Sequence, residues 1–135
     1  MVDKKYAIID GANVAYEEVS ASGDPRVSNI VSMRQALMDR GYSPLIIVDA
    51  TLRHEIDDPE QLESLIDSGT IRQAPAGTDA DYFILQTAER HEALVVSNDS
   101  FKGYRDEYSW LNDRKVPFMI IKGQIELHVR DLPYE

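Results

Sequence analysis

Cysteine is absent from the 135-residue chain, so neither a disulfide framework nor a thiolate metal site is available to it. Histidine is scarce, and its three copies show no spacing that would suit an imidazole metal site. Basic residues are also short: 14 Lys and Arg against 24 Asp and Glu leave a formal charge of −10. That balance opposes tight nonspecific binding of nucleic acid, which depends on neutralising phosphates with cations. Metal ions held by clustered aspartates would invert the sign locally, and solubility accounts for most of the remaining acids. No apolar run approaches the length that spans a membrane, and MVDKKYAIID passes from charge into strand without the apolar segment of a secretory leader. The expectation is a cytoplasmic protein with no membrane partner, forming one domain over residues 1–135.

What is present is organised around Tyr6 to Tyr16, YAIIDGANVAY. Tyr6-Ala7-Ile8-Ile9 is too short for a helix and has the residues of a buried strand. It ends in Asp10, and Gly11 then allows the backbone to turn. An aspartate there would sit at the lip of a parallel sheet, where open α/β folds bind their ligands. Leu94-Val95-Val96 followed by Ser97-Asn98-Asp99 repeats the design.

Between these stretches the periodicity alternates in kind. Asp24-Pro25 is a helix start, with Val27, Ile30, Val31, Met33, Leu37 and Met38 at helical spacing and Gly41 as the stop. Leu45 to Val48 is a second buried strand ending at Asp49, and Asp58-Pro59 opens another helix with Leu62, Leu65 and Ile66 on one stripe. Thr70-Ile71 suggests a short strand, and Thr78 is placed to cap a helix carrying Asp79 and Asp81 in its first turn. Ala93 to Val96 is a third parallel strand, a short helix is expected around Asp106 to Leu111, and Phe118 to Ile121 is another strand. Ile125 to Val129 alternates as an edge strand does. Strands alternating with helices predict a three-layer α/β/α sandwich with a mainly parallel central sheet.

Asp10 and Asp99 follow parallel strands, and Asp81 lies at a helix start that packs towards the same strand ends. A single aspartate in such a place is ordinarily a cap or a solvated charge; three suggest carboxylates converging on Mg²⁺ or Mn²⁺, hard ions that prefer oxygen ligands. Asp79, two residues before Asp81, faces another side. Asn13 either holds its own turn or works beside Asp10, whereas Asn98 reads as a turn residue. Arg53, His54, Lys102 and Arg105 fall in loops that open at the same edge, where cations would position a phosphodiester backbone. Tyr104, Tyr108 and Trp110 offer faces for base stacking, although packing against the core is the simpler role, above all for Trp110.

IIDGANVA, then TDADYFILQTA, then VVSND with an aromatic and YRDEY beyond it, together resemble the NYN branch of the PIN-like ribonucleases, the Regnase type. The resemblance runs from Tyr6 to about Trp110 with the motifs in order. It implies a PIN-like, Rossmann-like topology and a metal-dependent endoribonuclease cutting single-stranded or stem-loop RNA with Mg²⁺ or Mn²⁺. By position it assigns Asp10, Asn13, Asp81 and Asp99 to the site and Arg53 to a basic substrate-side loop, and it makes a homodimer an expectation. Two positions depart from the pattern. Ala80 precedes Asp81 where the family often has a pair of acids, and Gly103 stands where it has a further aspartate, four residues after that of SND. Asp106, one helical turn on from Gly103, is the candidate replacement.

Other classes fit less well. An aspartyl-phosphate phosphatase wants a second acid two residues after the first, where Ala12 stands, and a dinucleotide-binding protein needs more glycines than Gly11. The non-enzymatic alternative is a degenerate PIN-like module that binds RNA or a protein partner, favoured by Gly103 and the net acidity.

Overall fold

The computed structural model describes residues 4–128. β1 (Tyr6–Asp10) is the middle strand of a five-stranded parallel sheet, flanked by β2 (Ser43–Val48) and β4 (Leu94–Val96), with β3 (Ile71–Gln73) and β5 (Lys115–Val116) at the edges. The order β3-β2-β1-β4-β5 places the strand-order reversal beside β1, so a crevice opens where β1 and β4 end.

Strand alternation divides the interior in two. Ala7, Ile9, Ile46, Val48, Ile71, Leu94 and Val96 point into one core with α1 (Gly11–Glu17), α2 (Val27–Asp39) and α3 (Pro59–Asp67). Ile8, Ile47 and Val95 point the other way, onto α4 (Ala80–His91) and onto Phe101, Tyr108 and Leu111, the last in α5 (Leu111–Arg114). Strands apolar on both faces are what a parallel sheet covered by helices requires. The three-layer α/β/α expectation is thereby met.

Several local expectations are corrected. Gly11 to Glu17 forms a helix of about two turns, where the sequence suggested only a turn at Gly11. Gly11 is selected by packing: a Cβ there would lie 2.5 Å from Val48 Cγ1 and 3.1 Å from the Ile47 carbonyl oxygen. The second helix begins at Val27, not at Asp24-Pro25, because the Val27 N–H is met by Asp57 Oδ1 at 3.0 Å. Asp79, not Thr78, caps α4, its Oδ1 accepting the Asp81 N–H at 3.0 Å. The segment around Asp106 is a turn, preceded by a single 3₁₀ turn at Lys102–Tyr104 and followed later by α5. Lys115–Val116 is a fifth parallel strand too short to show a sequence period. β6 (Phe118–Ile121) and β7 (Gln124–Leu127) leave the main sheet and pair antiparallel as a hairpin, with β7 packed on α2. Val129, expected to finish that last strand, lies outside the described residues.

Candidate metal centre

Asp10 is the last residue of β1 and the N-cap of α1, with backbone angles of −75° and 93°. Its Oδ1 accepts the Asn13 N–H at 3.4 Å, and its Oδ2 accepts the Ser97 hydroxyl at 2.9 Å. With only 7 % of its surface exposed, this carboxylate is fixed by the strand behind it and the helix ahead of it. Burial, the largest influence, pushes Asp10 up to about 6; the Ser97 and Asn13 hydrogen bonds pull it back, and the charges of Asp99 and Asp49 push it further.

Asp99 lies three residues beyond β4. Its own N–H donates to Ser97 Oγ at 3.0 Å, so Ser97 ties Asp99 to Asp10 through one hydroxyl. Asp99 Oδ1 accepts the Phe101 N–H at 3.0 Å. Phe101 has φ of 52°, a left-handed conformation that bulky side chains rarely adopt, and burial of its ring in the core holds it there.

Asp81 enters from the other side of the crevice, as the second residue of α4. It is half-buried, and partial burial followed by repulsion from Asp10, Asp99, Asp79 and Asp49 pushes it up to about 6. One carboxylate oxygen from each of Asp10, Asp81 and Asp99 lies within 4.8 Å of the other two. They line an open pocket of ≈ 250 Å³ together with Asn13, Tyr16, Ile47 and Asp49. The donor set is oxygen only, without imidazole or thiolate, and like charges this close call for a cation between them. Those residues fit a hard divalent ion such as Mg²⁺ or Mn²⁺.

Asp49 is a fourth acid at the pocket, not among the site residues expected from the sequence. It comes directly after β2 much as Asp10 closes β1, which was the available signal. Its Oδ1 accepts the Thr51 N–H at 2.9 Å, the Thr51 hydroxyl at 2.7 Å and the Leu52 N–H at 2.9 Å, holding the carboxylate at the pocket wall. Asp106, the expected stand-in, is exposed and does not belong to the carboxylate cluster. Gly103 is also exposed, and an added Cβ would meet open space.

Asn13 joins the two aspartate-bearing loops: its Oδ1 accepts the Asn98 N–H at 2.9 Å. Asn98 itself bridges to the hairpin, its Nδ2 donating to the Phe118 carbonyl at 2.9 Å and its Oδ1 accepting the Phe118 N–H at 3.0 Å. Of the basic candidates, Arg53 turns towards β3 and α3, bonding Gln73 Oε1 at 2.8 Å and Glu63 at 3.0 Å. His54 and Lys102 are exposed. Arg105, also exposed, donates to the Ser100 carbonyl at 3.3 Å and to Asn112. A cation not foreseen is Lys115, whose Nζ donates to the Asp99 carbonyl at 2.6 Å. Partial burial chiefly, and Arg105 next, lower its pKa, while Asp99 opposes them. Tyr108 is buried and hydrogen-bonded to Gln86; Trp110 donates to Glu89 at 3.1 Å beneath the Arg114 guanidinium, so both pack rather than present open faces.

The chain is similar to known proteins in sequence and in fold. The sequence model described as the Zc3h12a-like ribonuclease NYN domain matches residues 3–131. Proteinaceous RNase P 2 of Arabidopsis thaliana is 25 % identical over 138 residues, which covers 91 % of this chain and 26 % of that protein. Proteinaceous RNase P 3 of the same plant is 24 % identical over 138 residues, covering 91 % and 24 %. The chain thus spans about a quarter of the length of these relatives. A crystal structure of nuclear proteinaceous RNase P 2 superposes with a TM-score of 0.72 at 25 % identity, over 93 % of this chain and 29 % of the other. A second structure of that protein gives 0.73 at 24 % identity, over 96 % and 30 %, a likeness of fold.

Proposed function

The chain belongs to the family of Zc3h12a-like ribonuclease NYN domains, and from that premise we propose that it is a divalent-metal-dependent endoribonuclease that hydrolyses RNA phosphodiester bonds. The observation that carries the reading is the meeting of Asp10, Asp81 and Asp99 oxygens within 4.8 Å at the end of the parallel sheet. These three carboxylates would hold one or two Mg²⁺ or Mn²⁺ ions. Such an ion, when bound, lowers the pKa of a coordinated water and neutralises charge on the phosphate. The protein's own part is positioning: Ser97 and the Asn13 N–H fix Asp10, and the Phe101 N–H fixes Asp99. Asn13 keeps the two loops in register. Nucleophilic catalysis by a side chain is not required.

Residues 1–135 would act as one NYN unit, with Lys115, Lys102 and Arg105 on the Asp99 side of the crevice as the supply of positive charge for the RNA backbone. Relatives named proteinaceous RNase P support RNA as the substrate class. The test is incubation of purified protein with labelled single-stranded and stem-loop RNA, with Mn²⁺, with EDTA, and as Asp10→Asn. Cleavage by the wild type with Mn²⁺ alone is expected. RNA binding without cleavage beyond the Asp10→Asn rate would favour the degenerate, non-catalytic module that Gly103 suggests.

A further inference from the structure

The two faces of the sheet are covered unequally at the β3 edge. On one face α3 packs against β3, and Ile71 is buried beneath it. On the other, α4 lies over β1 and β2, and Arg72, in register with Ile47, points into an open groove between the strand edge and the helix. The groove has a volume of ≈ 410 Å³, larger than that of the acidic pocket. Arg72 supplies one wall, and Tyr82, Gln86 and Arg90 of α4 supply the other. Ile47 lines both cavities, and Tyr82 directly follows Asp81, so the groove adjoins the carboxylate pocket.

The lining has a composition unlike the rest of this acidic chain. Arg72 and Arg90 are exposed, and neither is engaged in an ion pair or hydrogen bond among the described residues. Both therefore keep guanidinium donors available, in the planar arrangement that suits phosphate. Tyr82 is 43 % exposed and lines the same groove as the two cations, its ring standing at 81° to that of Phe83 with centroids 5.5 Å apart. Guanidinium groups that track a backbone, together with an aromatic face for a base, make up the usual single-strand platform. An acidic protein partner would use the arginines but gains little from the exposed tyrosine or from nearness to the metal pocket.

We propose that this groove is the path for the RNA nucleotides flanking the scissile phosphate, with Arg72 and Arg90 contacting phosphates and Tyr82 stacking on a base. The assignment rests on the nuclease reading above and adds the direction in which the substrate leaves the site. It also gives a chain of charge −10 a local positive track for a polyanion, through two guanidinium groups on one groove.

The test uses the full chain in an Asp10→Asn background, where bound RNA stays intact, with a fluorescent single-stranded 12-mer read by anisotropy over a range of salt. Combining Arg72→Gln with Arg90→Gln is expected to weaken binding about 10-fold. It should also flatten the dependence of log affinity on log salt by about 1.4, at roughly 0.7 per lost phosphate contact. Tyr82→Ala is expected to weaken binding about 5-fold, the lower end for one base stack, with the salt slope unchanged. Lys4→Gln, at the opposite end of the sheet, serves as the charge control, and melting curves verify folding of each variant. In the otherwise wild-type enzyme the paired arginine substitutions should raise KM and spare kcat. Unchanged affinity and salt slope in a variant whose Asp10-containing parent cuts RNA would overturn the groove alone. Competition by polyglutamate as effective as by RNA would assign the groove to a protein partner and likewise overturn it. A parent that neither cuts nor binds RNA would overturn the nuclease reading with it.

Discussion

The side-chain oxygen of Asn13 accepts the backbone N–H of Asn98 at 2.9 Å, spanning the gap between the helix that follows β1 and the loop that follows β4. Asp10 lies three residues before one end of this link, and Asp99 one residue after the other. The bond therefore sets the spacing of two carboxylates without itself presenting a metal ligand.

Asn13→Ala removes the acceptor and leaves the Asn98 N–H without its partner, a loss of about 1–2 kcal/mol in stability. The expected signature is a rise of 10-fold or more in the Mn²⁺ concentration giving half-maximal cleavage, with RNA affinity nearly unchanged. Loss of RNA affinity with an unaltered Mn²⁺ dependence would instead make Asn13 a substrate contact.

Asp10 carries a pH signature of its own. Its folded-state pKa, about 6, lies above the ordinary value of 3.8. Between those values the folded, metal-free protein holds a proton that the unfolded chain has released, so stability rises as pH falls through this window. Asp10→Asn abolishes the charge, and in EDTA at pH 7 it should be more stable than wild type by on the order of 2–3 kcal/mol. Chemical denaturation at a series of pH values checks this: the advantage should shrink steadily from pH 7 towards pH 4. A constant difference would contradict the burial-driven shift.

Asp49 tests how far the acidic site extends. Asn at this position keeps an oxygen for the Thr51 and Leu52 N–H groups, so the fold should lose little. Removing one negative charge from the pocket wall is expected to weaken Mn²⁺ binding several-fold, measured by calorimetric titration. Asp49→Ala should in addition cost about 1–2 kcal/mol of stability, because the turn loses its cap.

The strands and the three aspartates were legible in the sequence because each signal is local. A buried apolar run ending in a carboxylate marks β1 and β4, and Asp79 and Asp81 follow a Gly-containing loop at a helix start. What was not legible depends on contacts distant in the chain. Gly11 looks like a turn glycine until Val48 and the Ile47 carbonyl are seen against it. The late start of α2 is set by Asp57, thirty residues away. Arg53 has the appearance of a loop cation, and only the fold places Glu63 and Gln73 within its reach. β5, at two residues, is too short to carry a period and exists because Val96 offers it an edge. Asp106 is one helical turn beyond Gly103 only if a helix runs there, and the chain instead turns.

The most direct measurement is the single-turnover rate of Mn²⁺-dependent RNA cleavage for wild type, Asp99→Asn, Asp79→Asn and Asp106→Asn. Asp79 caps α4 and accepts the Tyr104 hydroxyl, and Asp106 is exposed outside the cluster, so those two substitutions should keep most of the rate. Asp99→Asn should lower it by about 100-fold or more, the scale of losing a group that stabilises charge in the transition state. Equal rates for wild type and Asp99→Asn, or an equal loss in all three variants, would contradict a metal centre built from Asp10, Asp81 and Asp99.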